Sequence, residues 1–395
     1  MNRIIFTLLF LPLLFACGRD DVSDPYKEAA AKKIKRTVLI YAVNKSSLSY
    51  DFIADSREIL QAASTIDLSL YQILVYRTDT DDSCGLYRVE KDEDDTPYFS
   101  QLVSYPRNVT STHPDRIKNV IDYSLTLYPN SSYDLVFWGH GMSWKPYFTD
   151  HEIVNNESYY AYGGEYNGAM DNGYRQTDWT EIDELADCVP DHVFDTIWFD
   201  CCYMTGIEVI YEFRDKCDTF VGYPTEVWSD GLQYNLILPY LLSPSHDIKR
   251  AAETFFNYYN DNSEPVTVAV LDMKYLEPVA DISRQIIASG DLRPYSEELL
   301  NYSRTAGSPF YDFKQFFSLT AQLNAKSDSN DTLDLKLGEA LDSLVIYHDG
   351  SNRNFYGMSW DRSNISGIST HFYQGGISRD ELYYQKLDWF KKVYQ

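Results

Sequence analysis

The sequence predicts an α/β fold built on a mainly parallel sheet of six strands, flanked by helices and followed by a C-terminal accessory subdomain. Three observations carry this expectation. Short apolar runs of strand length alternate with segments of helical spacing. The runs are apolar throughout, not at every second position, as strands covered on both faces must be. The alternation persists over residues 37–272 in the strand–helix–strand order of parallel crossovers.

Residues 37–43 (TVLIYAV) read as the first strand. Residues 51–63 follow as a helix, with Phe52, Ile59, Leu60 and Ala63 on one face. The second strand is 69–76 (SLYQILVY). Residues 79–97 are polar and acidic and read as a loop or small hairpin. A helix over 114–127 precedes the third strand, 133–138 (YDLVFW). A short helix near 179–186 leads to the fourth, 194–200 (FDTIWFD). Residues 204–213 read as helix, 218–223 as the fifth strand, 248–259 as helix and 266–272 (VTVAVLD) as the sixth strand. Beyond Asp291 the pattern loosens, leaving a helix over 331–346 and a late strand at 367–373. Residues 36–290 therefore read as one domain and 291–395 as an accessory region packed on it.

Charge and hydropathy exclude several functions. Asp and Glu number 59 against 34 Lys and Arg, a net charge of −25. Such a surface repels phosphate backbones, so nucleic acid is not an expected partner, whereas basic peptides and cations are attracted. No internal run approaches the roughly 18 apolar residues of a membrane span. No repeat with a period of 20–50 residues points to a solenoid.

The N-terminus is a different matter. Arg3 precedes a short apolar stretch from Ile4 to Phe15, too short to span a bilayer and suited to a signal peptide, residues 1–16. Leu14-Phe15-Ala16-Cys17 resembles the bacterial lipobox, in which the cysteine is diacylated, and two acyl chains suffice for stable anchoring. Gly18-Arg19-Asp20-Asp21 resembles the surface-export signal of Bacteroidetes lipoproteins. Residues 17–35 read as a lipidated polar tether. The expected location is the cell envelope, lipid-anchored in the outer membrane and exposed at the surface. The five other cysteines are Cys84, Cys188, Cys201, Cys202 and Cys217. Their odd number leaves at least one thiol free or paired between molecules. No C-x-x-C pair supports a zinc site, and no metal or other cofactor is expected.

Two strand ends carry chemistry. In open parallel sheets ligands bind beyond the carboxyl ends of the strands. The third strand runs into Trp138-Gly139-His140-Gly141 and the fourth into Asp200-Cys201-Cys202-Tyr203-Met204. Flanking glycines leave the His140 imidazole unshielded, and a cysteine that opens a helix has its thiolate favoured there. A histidine and a cysteine at adjacent strand ends can meet in space, although 62 positions separate them in the chain. That pair suits nucleophilic attack on a carbonyl.

These segments, with Asn44, Glu208, Gly222-Tyr223-Pro224-Thr225-Glu226 and Trp228-Ser229-Asp230-Gly231-Leu232-Gln233-Tyr234, resemble the clostripain family of cysteine peptidases, whose fold is caspase-like. The family pattern Asp-Ala-Cys-Leu-Met aligns Cys202 with the nucleophile and places Cys201 at the alanine. The resemblance implies a Cys202–His140 pair, an oxyanion hole from the backbone N–H groups of Cys202 and Gly141, and cleavage of protein or peptide substrates after Arg or Lys. It places Asp200 at the base of the substrate pocket and Asp230 on its wall, since a buried guanidinium requires a carboxylate. Relatives are often zymogens cut between the His and Cys strands. Here that segment, 147–193, reads as exposed and mobile and holds one basic residue, Arg175. Some relatives depend on calcium, which acidic stretches such as 79–82 and 90–95 could hold weakly. Two rival readings stand beside the peptidase. One is an inactive relative that binds peptides or glycans through its 34 tyrosines. The other is a peptidase specific for Asp, disfavoured because Arg175 is the only basic residue between Lys145 and Arg214.

Overall fold

The computed structural model describes residues 33–79, 83–146, 161–171, 174–303, 310–325, 331–355, 357, 359–373 and 375–395. Cys17 and the lipobox-like segment lie outside the described residues. Five parallel strands form the centre of the main sheet: β1 (Arg36–Ala42), β2 (Tyr71–Thr78), β5 (Ser132–Trp138), β9 (Phe194–Asp200) and β10 (Cys217–Gly222). Among the described residues this sheet has nine strands, in the order β13-β11-β10-β9-β5-β1-β2-β3-β4. The remaining members are β3 (Cys84–Lys91), β4 (Pro97–Tyr105), β11 (Thr267–Asp272) and β13 (Val345–Gly350).

This corrects the expected six strands, and each extra strand has a physical reason. The acidic stretch forms a hairpin at one edge, β3 with β4, the second of the two forms expected for it. Arg88 and Glu90 pair with each other along β3, so charged residues do not disqualify the strand. Only the turn is richly acidic: the Asp92 Oδ1 accepts the backbone N–H groups of Asp94 and Thr96 at 3.0 and 2.9 Å. At the other edge β11 runs antiparallel to β10, and β13, contributed by the chain after Asp291, adds a further antiparallel strand. The late strand expected at 367–373 is only β14 (Ser369–Thr370), laddered with β12 (Tyr311–Asp312).

Helices cover both faces, as the unbroken apolar strands require. On one face α1 (Ser49–Thr65), α5 (Tyr234–Leu241) and α6 (Ile248–Asp261) bury Phe52, Ile59, Leu238 and Phe255 against Val38, Ile40, Trp138 and Trp198. On the other, α2 (Pro114–Leu127), α3 (Ile182–Asp187), α4 (Ile207–Glu212), α7 (Leu276–Ala288) and α8 (Phe313–Leu323) pack against Leu39, Tyr41, Phe137 and Phe199. That second layer continues into α9 (Asp331–Leu344), α10 (Arg379–Tyr384) and α11 (Asp388–Tyr394), with Trp389 set against Tyr211 and Phe313. Within the segment 147–193, residues 147–160, 172 and 173 lie outside the described residues; the rest includes the strands β7 (Tyr162–Asp171) and β8 (Tyr174–Thr180), which pair with each other, β7 also pairing with β6 (His140–Gly141). Among the described residues no helix is long and apolar enough to cross a membrane.

Candidate active site

The register of the central strands brings the reactive residues together. Ala42 is paired with Trp138, and Trp138 with Asp200, so β1, β5 and β9 end at one level. The chain beyond β5 enters His140–Gly141 and that beyond β9 enters Cys201–Cys202. Gly139 takes φ 147°, a conformation a side chain would resist. Gly141 has a second constraint: a Cβ there would lie 2.7 Å from the Cys202 carbonyl oxygen and 2.8 Å from the Cys201 Cβ. The two motifs are thus packed backbone to backbone, and only glycine permits that approach.

After Cys202 the chain turns at once. Tyr203 has φ 62°, a strained conformation for a tyrosine, and its N–H bonds the Thr225 carbonyl at 2.8 Å. The helix expected from 204 begins only at Ile207, with Gly206 as its N-cap. Cys202 therefore does not sit on a helix N-terminus. Its Sγ instead lies 3.4 Å from the backbone N of Val227, in the loop after β10. The Cys201 thiol is buried, bonds the Phe137 carbonyl at 3.3 Å and points away into the aromatic layer. No disulfide joins any of the five described cysteines.

The His140 imidazole contacts Ser47 through Nε2···Oγ at 2.9 Å, a partner 93 positions away that sequence reasoning missed. Burial holds the imidazolium down, to about 4, so the ring is neutral near pH 7. A neutral ring can accept a thiol proton.

Beneath these groups lies Asp200, only 3% exposed. Its Oδ2 accepts the Leu232 N–H and the Tyr234 hydroxyl, each at 3.1 Å. Its Oδ1 is buried and has no hydrogen-bond partner among the described residues. Burial pushes the carboxyl up to about 7, against the lowering effect of those two donors. Gly231, at φ 49°, packs directly on it: a Cβ there would stand 2.7 Å from Oδ2. Asp230 itself is exposed, in the turn closed by the 2.9 Å bond from the Gly231 N–H to the Trp228 carbonyl. It lies at the rim of this region and not against Asp200. Two further acids complete the group. Asp55, on the apolar face of α1, is 2% exposed and accepts the Trp138 indole N–H at 2.8 Å. Burial, then Asp200 and Glu58, push it up to about 9. Half-buried Glu58, one turn on, is also raised, first by burial and then by Asp230 among its neighbours. A carboxylate between Phe52 and Ile59 in an apolar stripe was the available signal for Asp55.

Arg175 lies on β8, paired in the ladder with Met170. Among the described residues no cluster of three or more metal-ligating side chains occurs. Of the acids expected to hold calcium, Asp81 and Asp82 lie outside the described residues; Asp79 pairs with Arg77 and the Tyr87 hydroxyl, and Asp95 with Lys91.

The profile of the clostripain family matches residues 40–393. The chain belongs to the clostripain family. It is accordingly a C11 cysteine protease of mixed α/β fold. No functionally curated protein matches it. Among solved structures, a secreted C11 cysteine protease from Bacteroides thetaiotaomicron, in complex with an irreversible peptide inhibitor, is 25% identical with a TM-score of 0.75, covering 91% of this chain and 99% of that one. An inactive zymogen C11 protease from Parabacteroides distasonis is likewise 25% identical with a TM-score of 0.75, covering 92% and 99%. For this clostripain-family protease the packed strand-end loops that carry His140 and Cys202, with the buried Asp200 at the end of β9, are therefore the candidate active site.

Proposed function

We propose that this protein is an endopeptidase that cleaves after Arg or Lys. Cys202 is the nucleophile, His140 carries the proton, and Cys17 anchors the chain at the outer surface of the outer membrane. One observation carries the specificity: the buried Asp200 Oδ1, without a partner among the described residues. A buried polar oxygen left unpaired is costly, and a carboxylate more so. A guanidinium or ammonium arriving from a substrate would satisfy it. Asp230, at the rim, adds negative potential on the approach.

Neutral His140 takes the Cys202 proton as Sγ attacks the scissile carbonyl carbon. The oxyanion is met by the N–H groups of Cys202 and Gly141, and an S–C bond forms. His140 then returns the proton to the leaving amine as the C–N bond breaks. Water, deprotonated by His140, attacks the thioester; the new O–C bond forms, the C–S bond breaks, and the proton returns to sulfur. The electron pairs balance without an external oxidant or reductant.

The test uses fluorogenic peptides identical except for Arg, Lys or Asp at the cleaved position. Turnover of the basic pair alone, abolished in Cys202→Ala, is the expected result. Folded wild type that turns over none of them defeats the reading. Replacing Cys17 by Ser should move the protein from the membrane to the soluble fraction. Self-processing after Arg175 belongs to the same reading, with one condition set by geometry: the β7–β8 ladder must open before an extended strand of that segment can enter a cleft. Intact-mass measurement of wild type, Cys202→Ala and Arg175→Ala separates self-cutting from no cutting.

A further inference from the structure

Behind the two strand-end loops lies a buried carboxylate that the mechanism does not use. Glu208, the second residue of α4, is fully buried. Its Oε1 accepts three donors, all from the C-terminal region: the His371 N–H at 2.8 Å, the Thr370 hydroxyl at 3.1 Å and the Tyr384 hydroxyl at 3.3 Å. A carboxylate gripped at one oxygen by three donors has a fixed aim for the other. That oxygen, Oε2, is buried and has no hydrogen-bond partner among the described residues.

It faces the histidine loop. Ser143 follows His140 by three positions, and Gly206 lies between it and Glu208. A Cβ at Gly206 would collide with the Ser143 Oγ and stand 3.2 Å from the Glu208 Oε2, so both oxygens face one small space over that glycine. The Ser143 Oγ is likewise buried without a partner among the described residues. Ser143 also takes φ 58°, a conformation that persists in a residue with a side chain only where its surroundings impose it. Two buried oxygens left unpaired are costly. A turn of the serine hydroxyl, with at most one water in the gap, satisfies both.

The next two residues of the same loop are fastened to the C-terminal region directly. The rings of Trp144, His371 and Tyr384 are mutual neighbours, with centroids 4.9, 4.9 and 4.8 Å apart. The Lys145 Nζ reaches Asp380 at 3.3 Å. On the cysteine side the Ser369 N–H bonds the Thr205 carbonyl at 2.9 Å. Both strand-end loops therefore lean on one support, and Glu208 stands where they meet it. Orientation matters here because Gly141 offers an N–H to the oxyanion and His140 moves the proton. A misplacement of about 1 Å in such a group can cost on the order of a hundredfold in rate.

We propose that Glu208 is a positioning residue for the reaction: gripped by the C-terminal region, it holds through Ser143 the loop that presents His140 and the Gly141 N–H. The proposal rests on the roles assigned above to His140, Gly141 and Cys202. It makes the chain after Asp291 part of what keeps the active site in shape.

Steady-state kinetics on one fluorogenic Arg peptide test this, with thermal unfolding to confirm that each variant is folded. Ser143→Ala removes only the hydroxyl. It should lower kcat and kcat/KM together by about tenfold with KM within about twofold, the signature of a group that acts on the transition state and not on binding. Glu208→Ala should lower kcat at least as far. Glu208→Gln, which keeps a hydrogen-bonding group at both ends, should return kcat to within about threefold of wild type. Ser143→Ala combined with Glu208→Ala should cost no more than Glu208→Ala alone, because two members of one link do not add. Arg214→Ala controls for general loosening: Arg214 ties the chain just beyond α4 to Asp388 at 2.9 Å, and this variant should keep kcat within about twofold whatever its melting temperature.

Ser143→Ala within about twofold of wild type overturns the link, as do losses that multiply in the double variant. Glu208→Gln as slow as Glu208→Ala also overturns it, by assigning the loss to the buried charge. So does Arg214→Ala losing as much kcat as Ser143→Ala, which would make a loosened C-terminal region the cause. If Glu208→Ala does not fold, Ser143→Ala and Glu208→Gln decide the matter between them. No turnover of the Arg peptide by folded wild type removes the peptidase reading, and this role with it.

Discussion

Two buried aspartates on adjacent strands of the same sheet are treated in opposite ways. Asp134, on β5, is 1% exposed; Asp200, on β9, is 3% exposed. Asp134 receives the Arg36 guanidinium at 3.3 Å to both oxygens and the His246 Nε2 at 3.0 and 3.1 Å. Asp200 receives an amide and a hydroxyl, no cation from the described residues, and keeps one oxygen unpartnered. Burial is nearly equal, so burial does not distinguish them. Position does. Asp134 lies toward the amino ends of the parallel strands, where ligands do not bind, and Asp200 lies at the carboxyl ends, where they do. A buried charge with its counter-ion built in belongs to the fold. A buried carboxylate without one, at the carboxyl ends of the strands, is the group that the proposed recognition of a substrate cation would use.

The largest expected effect breaks the comparison directly. Asp200→Asn should lower kcat/KM on an Arg peptide by on the order of a hundred- to a thousandfold, from the roughly 3–5 kcal/mol lost when one partner of a buried pair is removed. Uncharged peptides should lose far less, and Asp134→Asn should leave the ratio between the two substrates unchanged. Equal losses on both peptides in Asp200→Asn would show that Asp200 orients the Cys202 loop instead of reading the substrate.

Stability should move in opposite directions. The Asp200 carboxyl is raised from 3.8 to about 7 in the folded protein. Its favourable contribution is therefore complete below about pH 4 and lost as pH rises through about 7. At pH 8 the ionised group opposes folding by on the order of 4 kcal/mol, at about 1.4 kcal/mol per pKa unit. Asp200→Asn should accordingly melt above wild type at pH 8, with the difference vanishing toward pH 4. Asp134→Asn should melt below wild type at pH 8, because Arg36 and His246 lose their buried partner. Thermal unfolding monitored by circular dichroism at both pH values decides between the two signs.

The pH dependence of activity sharpens the same contrast. Recognition of a cation requires ionised Asp200, so kcat/KM on Arg peptides should climb through about pH 7 and level off above it. His140, held near 4, does not produce that limb. Asp200→Asn should flatten it; a limb that persists unchanged in the variant would assign it to another group. The smallest effect belongs to Cys201→Ala. The side chain points into the aromatic layer, so activity should stay within about threefold of wild type and stability should fall by about 1 kcal/mol. Loss of turnover in this variant, with Cys202→Ala active, would shift the alignment by one residue.

The sequence alone determined the parallel centre of the sheet and the two strand ends that carry His140 and Cys202. Those features are written in local signals: apolar runs of strand length, and the glycines and cysteines that follow them directly. Tertiary structure decided everything that depends on distant residues meeting. The edge strands β3, β4 and β13 become strands because a neighbour supplies their ladder; for the first two the acidic sequence left loop and small hairpin equally open. Ser47 reaches His140 across 93 positions, Tyr234 reaches Asp200 across 34, and Arg36 reaches Asp134 across 98. Nothing in residues 195–205 distinguishes Asp200 from Asp134 as a carboxylate short of a counter-ion. That difference exists only once packing has removed water from both and given a cation to one, because the energy of a buried charge is set by its neighbours in space and not by those in sequence.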